Sequence, residues 1–222
     1  MAEVDRIASE DLGIPLDALM ENASHQIAIA ARLFLGSVAG KRIVAFAGSG
    51  NNGGDAIGAL RHLSGWGAAV GVILAGPAER LRPLARRQLD ILAKLGVPRD
   101  AAAVDDADLL IDGLVGYSVA GPPRDAVADL VRAANASRLP ILAVDLPSGM
   151  HPDTGEPLGV TIRAVLTVTL ALPKRGLIVT PSRSLVGDLL LADIGIPPQA
   201  FDRLTIETRG LFESGDLIRI IR

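Results

Sequence analysis

The sequence predicts an α/β fold, a mostly parallel β-sheet covered by helices on both faces. Short apolar runs recur along the chain, helix-like stretches alternate with them, and Gly, Asn and Asp close several of the runs. Strands buried on both faces read as continuous apolar runs, because helical crossovers cover each side of a parallel sheet. The first element is a helix: from Pro15, the residues Leu16, Leu19, Met20, Ala23, Ile27, Ala31 and Phe34 recur at three- and four-residue steps. Strands are expected at 42–47 (RIVAFA), 68–74 (AAVGVIL), 108–114 (DLLIDGL), 139–146 (LPILAVDL), 164–172 (AVLTVTLAL) and 187–194 (GDLLLADI). The stretches DAIGALRHLSGWG, RLRPLARRQLDILAKLG and RDAVADLVRAANAS separate the first four strands as crossover helices. The last two runs have no helical stretch between them and are placed as additions at a sheet edge. The tail ETRGLFESGDLIRIIR receives no element.

At 222 residues, 49% hydrophobic and 21% charged, the chain suits one substantial core and is short for two α/β domains. A single domain over 1–222 is expected, with N-terminal helices at about 5–36, a sheet core at about 41–197 and a C-terminal tail. A net charge of −3 with 3% aromatic residues offers neither a basic field nor stacking platforms, which argues against nucleic acid as a partner. Without cysteine there is no disulfide, thiolate metal site or thiol nucleophile. The N-terminal MAEVDRIASED lacks an apolar signal core, and no run approaches the roughly 18 apolar residues of a membrane span. A cytoplasmic protein that does not enter a membrane is expected.

The chemistry collects at the predicted strand ends. Gly48-Ser49-Gly50-Asn51-Asn52-Gly53 has the G-x-G-x-x-G spacing of a dinucleotide-binding turn. That fingerprint also needs an acid about 20 positions on, at the end of the second strand, to take the ribose hydroxyls. Here the strand ends ILAGPAE, with Gly76-Pro77 at the place of the acid, and there is no Lys-Ser/Thr ending of a P-loop. The element GNNGGD therefore has to be judged by itself. Its glycines let backbone approach a ligand and aim amides at an anion, or simply make a tight turn. Asn51 and Asn52 offer donors and acceptors, one oxygen for a hard cation and another for a ligand. Asp55 reads either as a helix cap or as a site carboxylate. In an open α/β sheet the turn after 42–47, Asp112-Gly113 and Asp145 with its LPSG would meet on one edge.

Other residues carry weaker signals. His25, His62 and His151 have no metal-ligand spacing, so surface or packing roles are expected and no zinc site is proposed. Ser148 lies near Asp145 without a G-x-S-x-G elbow, which argues against a hydrolase triad. Asp153 to Glu156 read as a turn. Arg80, Arg82, Arg86 and Arg87 share one predicted helix, as a solvated face or, less favoured, a phosphate patch.

The stretches ALMENA, GSGNNGGD, LLIDGLVGY, VDLPSGMHPDTGE, LTVTLALPKRGL and VGDLLLADIGIP, in this order over about residues 5–197, resemble the NAD(P)H-hydrate epimerase family, the YjeF N-terminal domain. The resemblance implies a three-layer Rossmann-like α/β/α sandwich, a homodimer, and interconversion of the epimers of hydrated NADH or NADPH (NADHX, NADPHX). It implies substrate binding by Asn51, Asn52, Gly53, Gly54, Asp55 and Asp145, and by the loop residues Gly116, Tyr117 and Ser118. It further implies a potassium ion held by Asn52, Asp112 and Ser148, no tightly bound organic cofactor, and a separate NAD(P)H-hydrate dehydratase as functional partner. Lys174, in LPKRG, resembles a family lysine at the same edge and is a catalytic candidate with Asp145, the acid expected to give a proton to the departing hydroxyl, stabilise the cation and deprotonate incoming water. No attached dehydratase domain is expected. The loop Gly116 to Arg124, GYSVAGPPR, departs from the family's GTGL-x-R-P pattern. That departure keeps a second reading open, a non-catalytic nucleotide-binding or scaffold module; a conventional NAD oxidoreductase is a third, opposed by the missing ribose acid.

Overall fold

The computed structural model describes residues 1–97, 104–118 and 121–221. The chain enters through α1 (Ala2–Arg6), which runs into a π-turn (Ile7–Asp11), and the long α2 (Leu16–Leu35). Strand β1 (Arg42–Ala47), helix α3 (Asn51–Gly65), strand β2 (Ala69–Leu74), helix α4 (Pro83–Lys94) and strand β3 (Leu109–Gly113) follow. Then come α5 (Asp125–Ser137), β4 (Ile141–Val144), β5 (Leu166–Leu170), α6 (Arg183–Val186), β6 (Asp188–Ala192), α7 (Pro198–Asp202) and β7 (Leu217–Ile220). One sheet holds all seven strands in the order β2-β1-β3-β4-β5-β6-β7, parallel except for β7, which pairs antiparallel with β6. This is the mostly parallel sandwich that the apolar runs predict.

Alternate residues of each central strand feed opposite faces. Ile43, Ala45, Leu109, Ile111, Leu142 and Val144 pack with Ile27 of α2, Leu60 of α3 and Leu89 of α4. Val44, Phe46, Leu110, Ile141 and Ala143 pack on the other face with Val131 and Ala134 of α5. Three layers result.

The expected strands are trimmed where the backbone forbids extension. Strand β4 stops at Val144 because Asp145 has φ 67°, and β5 stops at Leu170 because Ala171 has φ 63°. The runs placed at the edge do lie beyond β4, but as parallel neighbours joined by irregular crossovers. Those crossovers hold only an isolated Met150–Pro157 bridge, two 3₁₀ turns and α6. After residue 197, α7 forms ahead of the ETRGLFESGDLIRIIR tail and β7 within it, where the sequence assigns no element.

Helix α3 begins four residues before its predicted start, taking in Asn51-Asn52-Gly53-Gly54. These are poor helix formers, so the reason is tertiary. A Cβ at Gly53 would lie 2.1 Å from the Gly48 carbonyl oxygen, one at Gly48 would lie 1.9 Å from that of Leu114, and one at Gly113 would lie 2.5 Å from Ala56 Cβ. Helix and strand ends approach closer than any side chain permits. Gly53→Ala is therefore expected to cost about 2 kcal/mol or more of unfolding free energy, the upper part of the overpacking range, because backbone must move. Gly50→Ala has φ −86° and open space at its Cβ, so it should change stability by less than about 0.5 kcal/mol. Urea unfolding of the two variants checks the contrast, and equal stability would remove the close-approach argument.

Candidate functional site

Strand β1 sends its crossover to β2 on one side, and β3 lies on its other side, which makes the gap between β1 and β3 the topological switch point. A cavity of about 540 Å³ opens there, over the ends of β1, β2, β3, β4 and β5. The turn Gly48–Asn52 forms its floor. Asn51, Asn52 and Asp55 reach its walls, while Gly53 and Gly54 are buried behind them as packing positions, Gly54 against Met20 and Ala85.

At the end of β3, the buried Asp112 is tied to the segment after β4. Ser148 Oγ donates to Asp112 Oδ1 at 2.7 Å, Ser148 N–H donates to Oδ2 at 2.8 Å, and Leu114 N–H donates to Oδ1 at 3.2 Å. Val115 N–H in turn donates to Ser148 Oγ at 2.9 Å. Burial pushes the Asp112 carboxyl up to about 6, with these hydrogen bonds opposing the shift. No ammonium or guanidinium pairs with it among the described residues. The amide nitrogen of Asn52, beside Gly116, is buried without a partner. A buried carboxylate with no counter-charge, close to a hydroxyl, a main-chain carbonyl and an amide, is an oxygen set that fits a hard monovalent cation.

At the end of β4, Asp145 makes a buried ion pair with Lys174. Lys174 Nζ also donates to Leu170 O at 3.0 Å and to Thr169 Oγ1 at 3.4 Å. Two tight turns stand side by side here. Leu146 N–H donates to Val144 O at 2.8 Å across Asp145, and Leu172 N–H donates to Leu170 O at 2.7 Å across Ala171. With positive φ at the central residue, these are the rarer and strained form of the γ-turn, costing about 1–3 kcal/mol each. The Tyr117 ring lies 5.8 Å from Lys174 Nζ, and the Tyr117 hydroxyl donates to Asp5 Oδ2 at 2.8 Å. Burial and Asp5 push the Tyr117 phenol up. Gly116, Tyr117 and Ser118 all line the cavity; Val119 and Ala120 of the same loop lie outside the described residues.

Asp55 does not cap α3. Gly50 holds that position, and Asp55 sits in the body of the helix, buried, on the cavity wall. Burial, then the neighbouring Asp145 and Asp5 charges, push its carboxyl well above the usual range, against a smaller opposing effect of Lys174. The cavity therefore has an acidic end made of Asp5, Asp55 and Asp145 around one lysine.

Asp5 carries no motif. Only the fold brings it to Tyr117, 112 positions away. Arg80 and Arg82, read as a solvated face, line the cavity, whereas Arg86 and Arg87 pair with Asp90 and Asp17. The His25 and His62 rings meet at a tilt beside Trp66, and His151 accepts the Asp153 and Thr154 amides in a turn.

Fold and site together define a doubly wound α/β protein with its ligand cavity at the switch point, the class of the nucleotide-binding sandwiches. Within that class, residues 16–176 match the YjeF-related protein N-terminus, and the chain belongs to this family. It is 38% identical over 225 residues to the NAD(P)H-hydrate epimerase of Dehalogenimonas lykanthroporepellens, covering 99% of this chain and 90% of that one. It is 42% identical over 209 residues to the bifunctional NAD(P)H-hydrate repair enzyme Nnr of Moorella thermoacetica, covering 89% of this chain and 39% of that protein. The chain thus spans about two fifths of the bifunctional relatives and most of the monofunctional ones. A crystal structure of a yeast protein shares the fold at TM-score 0.83 and 24% identity, covering 99% of this chain and 96% of that one.

The raised carboxyls have a consequence for stability. The folded value of Asp55 lies above the 3.8 of a free Asp, so as pH rises above about 4 the folded chain keeps a proton that the unfolded chain has released. Stability then falls with pH, by about 1.4 kcal/mol per unit for each such group. Asp112 contributes until its own value of about 6. Asp55→Asn is expected to remove one of these two slopes between pH 4 and 6 in urea unfolding, and an unaltered slope there would rule out a neutral buried Asp55.

Proposed function

We propose that this chain epimerises hydrated NADH and NADPH, interconverting the two configurations at the hydroxyl-bearing ring carbon, in the repair of nicotinamide nucleotides. The observation that carries the substrate is the match along 99% of the chain to a monofunctional relative named for this reaction. The carboxylates at the end of the cavity supply a mechanism. The ring nitrogen beside that carbon has a lone pair that expels the hydroxyl and leaves a planar iminium. Asp55, whose neutral form burial favours, takes the proton role expected of Asp145 and gives its proton to the departing hydroxyl, which leaves as water. Asp145, the negative partner of Lys174, faces the same cavity and stabilises the cation. Water then adds to the other face of the ring and returns its proton to Asp55, so atoms and charge balance over the cycle. Lys174 keeps Asp145 oriented, and the strained turn fixes the direction in which that carboxyl leaves the sheet. Tyr117, held by Asp5, forms a wall of the same pocket.

A potassium ion belongs to this reading, with Asn52, Asp112 and Ser148 to hold it. When bound it supplies a fixed positive charge that offsets buried Asp112. A thallium soak should place an anomalous peak within bonding reach of Asp112, and its absence would overturn the assignment. A cytoplasmic homodimer is part of the same reading; for the dimer, the exposed Leu33 and Phe34 at the end of α2 offer an apolar surface. The dehydratase partner follows from the chemistry, because interconverting epimers changes nothing in net unless another enzyme consumes one of them.

The deciding assay supplies the slow epimer to the purified protein, with potassium and a dehydratase specific for the other epimer. Acceleration over the spontaneous rate is expected. No acceleration would favour the scaffold reading that the substituted Tyr117-Ser118 loop suggests. Asp145→Asn should lower turnover about 100-fold or more with a much smaller change in substrate affinity, since an amide keeps shape but cannot balance a cation. Circular dichroism melting run in parallel shows whether the variant is folded, and wild-type turnover in it would move the role elsewhere.

A further inference from the structure

We propose that Arg80 and Arg82 form a phosphate-binding end of the cavity that selects the dinucleotide carrying a 2′-phosphate on its adenosine ribose. This rests on the epimerase reading, and adds to it a preference for the hydrate of NADPH over that of NADH. The argument starts at the end of β2. In doubly wound nucleotide folds the adenosine ribose lies there, beside the glycine turn; a carboxylate at that point takes the ribose hydroxyls, whereas an arginine accommodates the 2′-phosphate. Here β2 ends at Leu74, and the cavity wall continues through Ala75, Gly76 and Pro77 to Arg80 and Arg82, without a carboxylate. Glu79 is exposed and does not line the cavity.

The two arginines are held in place. Arg80 closes a 3₁₀ turn, Ala78–Arg80, and Arg82 is the N-cap of α4. Arg82 N–H donates to Ser49 O at 2.9 Å, which ties this segment to the glycine turn itself. Their guanidinium groups are free for a ligand: Arg86 pairs with Asp90 and Arg87 with Asp17, but neither Arg80 nor Arg82 makes an ion pair among the described residues. The opposite end of the cavity holds Asp5, Asp55 and Asp145. A cavity acidic at the end of β4 and basic at the end of β2 matches a ligand that develops positive charge on its nicotinamide ring and carries a phosphate on its far ribose.

The test compares both hydrates, with and without the 2′-phosphate, on the wild type and on the R80A/R82A double variant, whose side chains are exposed and outside the core. The wild type should favour the phosphorylated hydrate about tenfold or more in kcat/KM, and the double variant should lose that preference through the phosphorylated substrate alone. Equal losses on both hydrates would assign the arginines to the shared pyrophosphate and overturn the proposal, as would no loss on either. Calorimetry with 2′-phospho-ADP-ribose and ADP-ribose separates this from the reaction itself. If the wild type turns over neither hydrate, the epimerase reading fails, while tighter binding of the 2′-phosphorylated fragment, abolished in the variant, still supports the phosphate site. Equal wild-type affinity for the two fragments would refute it.

Discussion

The contact between the first turn of α3 and the ends of β1 and β3 governs the rest of the molecule. Glycine on both sides lets backbone meet backbone, so a helix that would otherwise stand a side chain's width away lies directly on the sheet edge. Asn51, Asn52 and Asp55 are then carried over the switch point, while Asp112 and Asp145 arrive at the same edge from β3 and β4. The glycines of this turn thus act mainly by what they allow the helix to approach.

Burial sets the electrostatics of what is brought together. Lys174 is the buried cation among Asp5, Asp55 and Asp145, and it satisfies Asp145 directly. Two negative charges beside one another in a low-dielectric pocket are costly, so a proton on Asp55 is the economical arrangement. Enclosing these carboxyls away from water thereby favours the protonated form of Asp55 beside the Asp145–Lys174 ion pair.

Much of this was legible in the sequence. The parallel sheet showed in apolar runs of strand length, α2 in its three- and four-residue steps, and the meeting of the turn, Asp112 and Asp145 in the rule that ligands sit at the carboxyl ends of strands. What was not legible depended on tertiary contact. Asn-Asn-Gly-Gly has low helix propensity, so the sequence places the start of α3 at Asp55, with Asp55 either a cap or a site carboxylate; packing against Gly48 moves the start to Asn51 and leaves Asp55 on the cavity wall. Arg80 and Arg82 looked like the rest of a charged helix face because sequence does not show that α4 begins only at Pro83, after both of them. Strand β7 is short, only partly buried and antiparallel at an edge, and its apolar content alone did not distinguish it from a tail.

The left-handed backbone at Asp145 has an evolutionary consequence. Few side chains tolerate that region, and Asp and Asn are the two that do so most readily after glycine. An Asn at this position would keep the turn, and Lys174 would still have Leu170 O and Thr169 Oγ1 as acceptors. The demands of the backbone and of the chemistry therefore diverge by a single side-chain atom. A lineage relieved of the proposed reaction can cross that gap in one codon change and keep the fold and its cavity, a short route from the proposed catalyst to a binding protein.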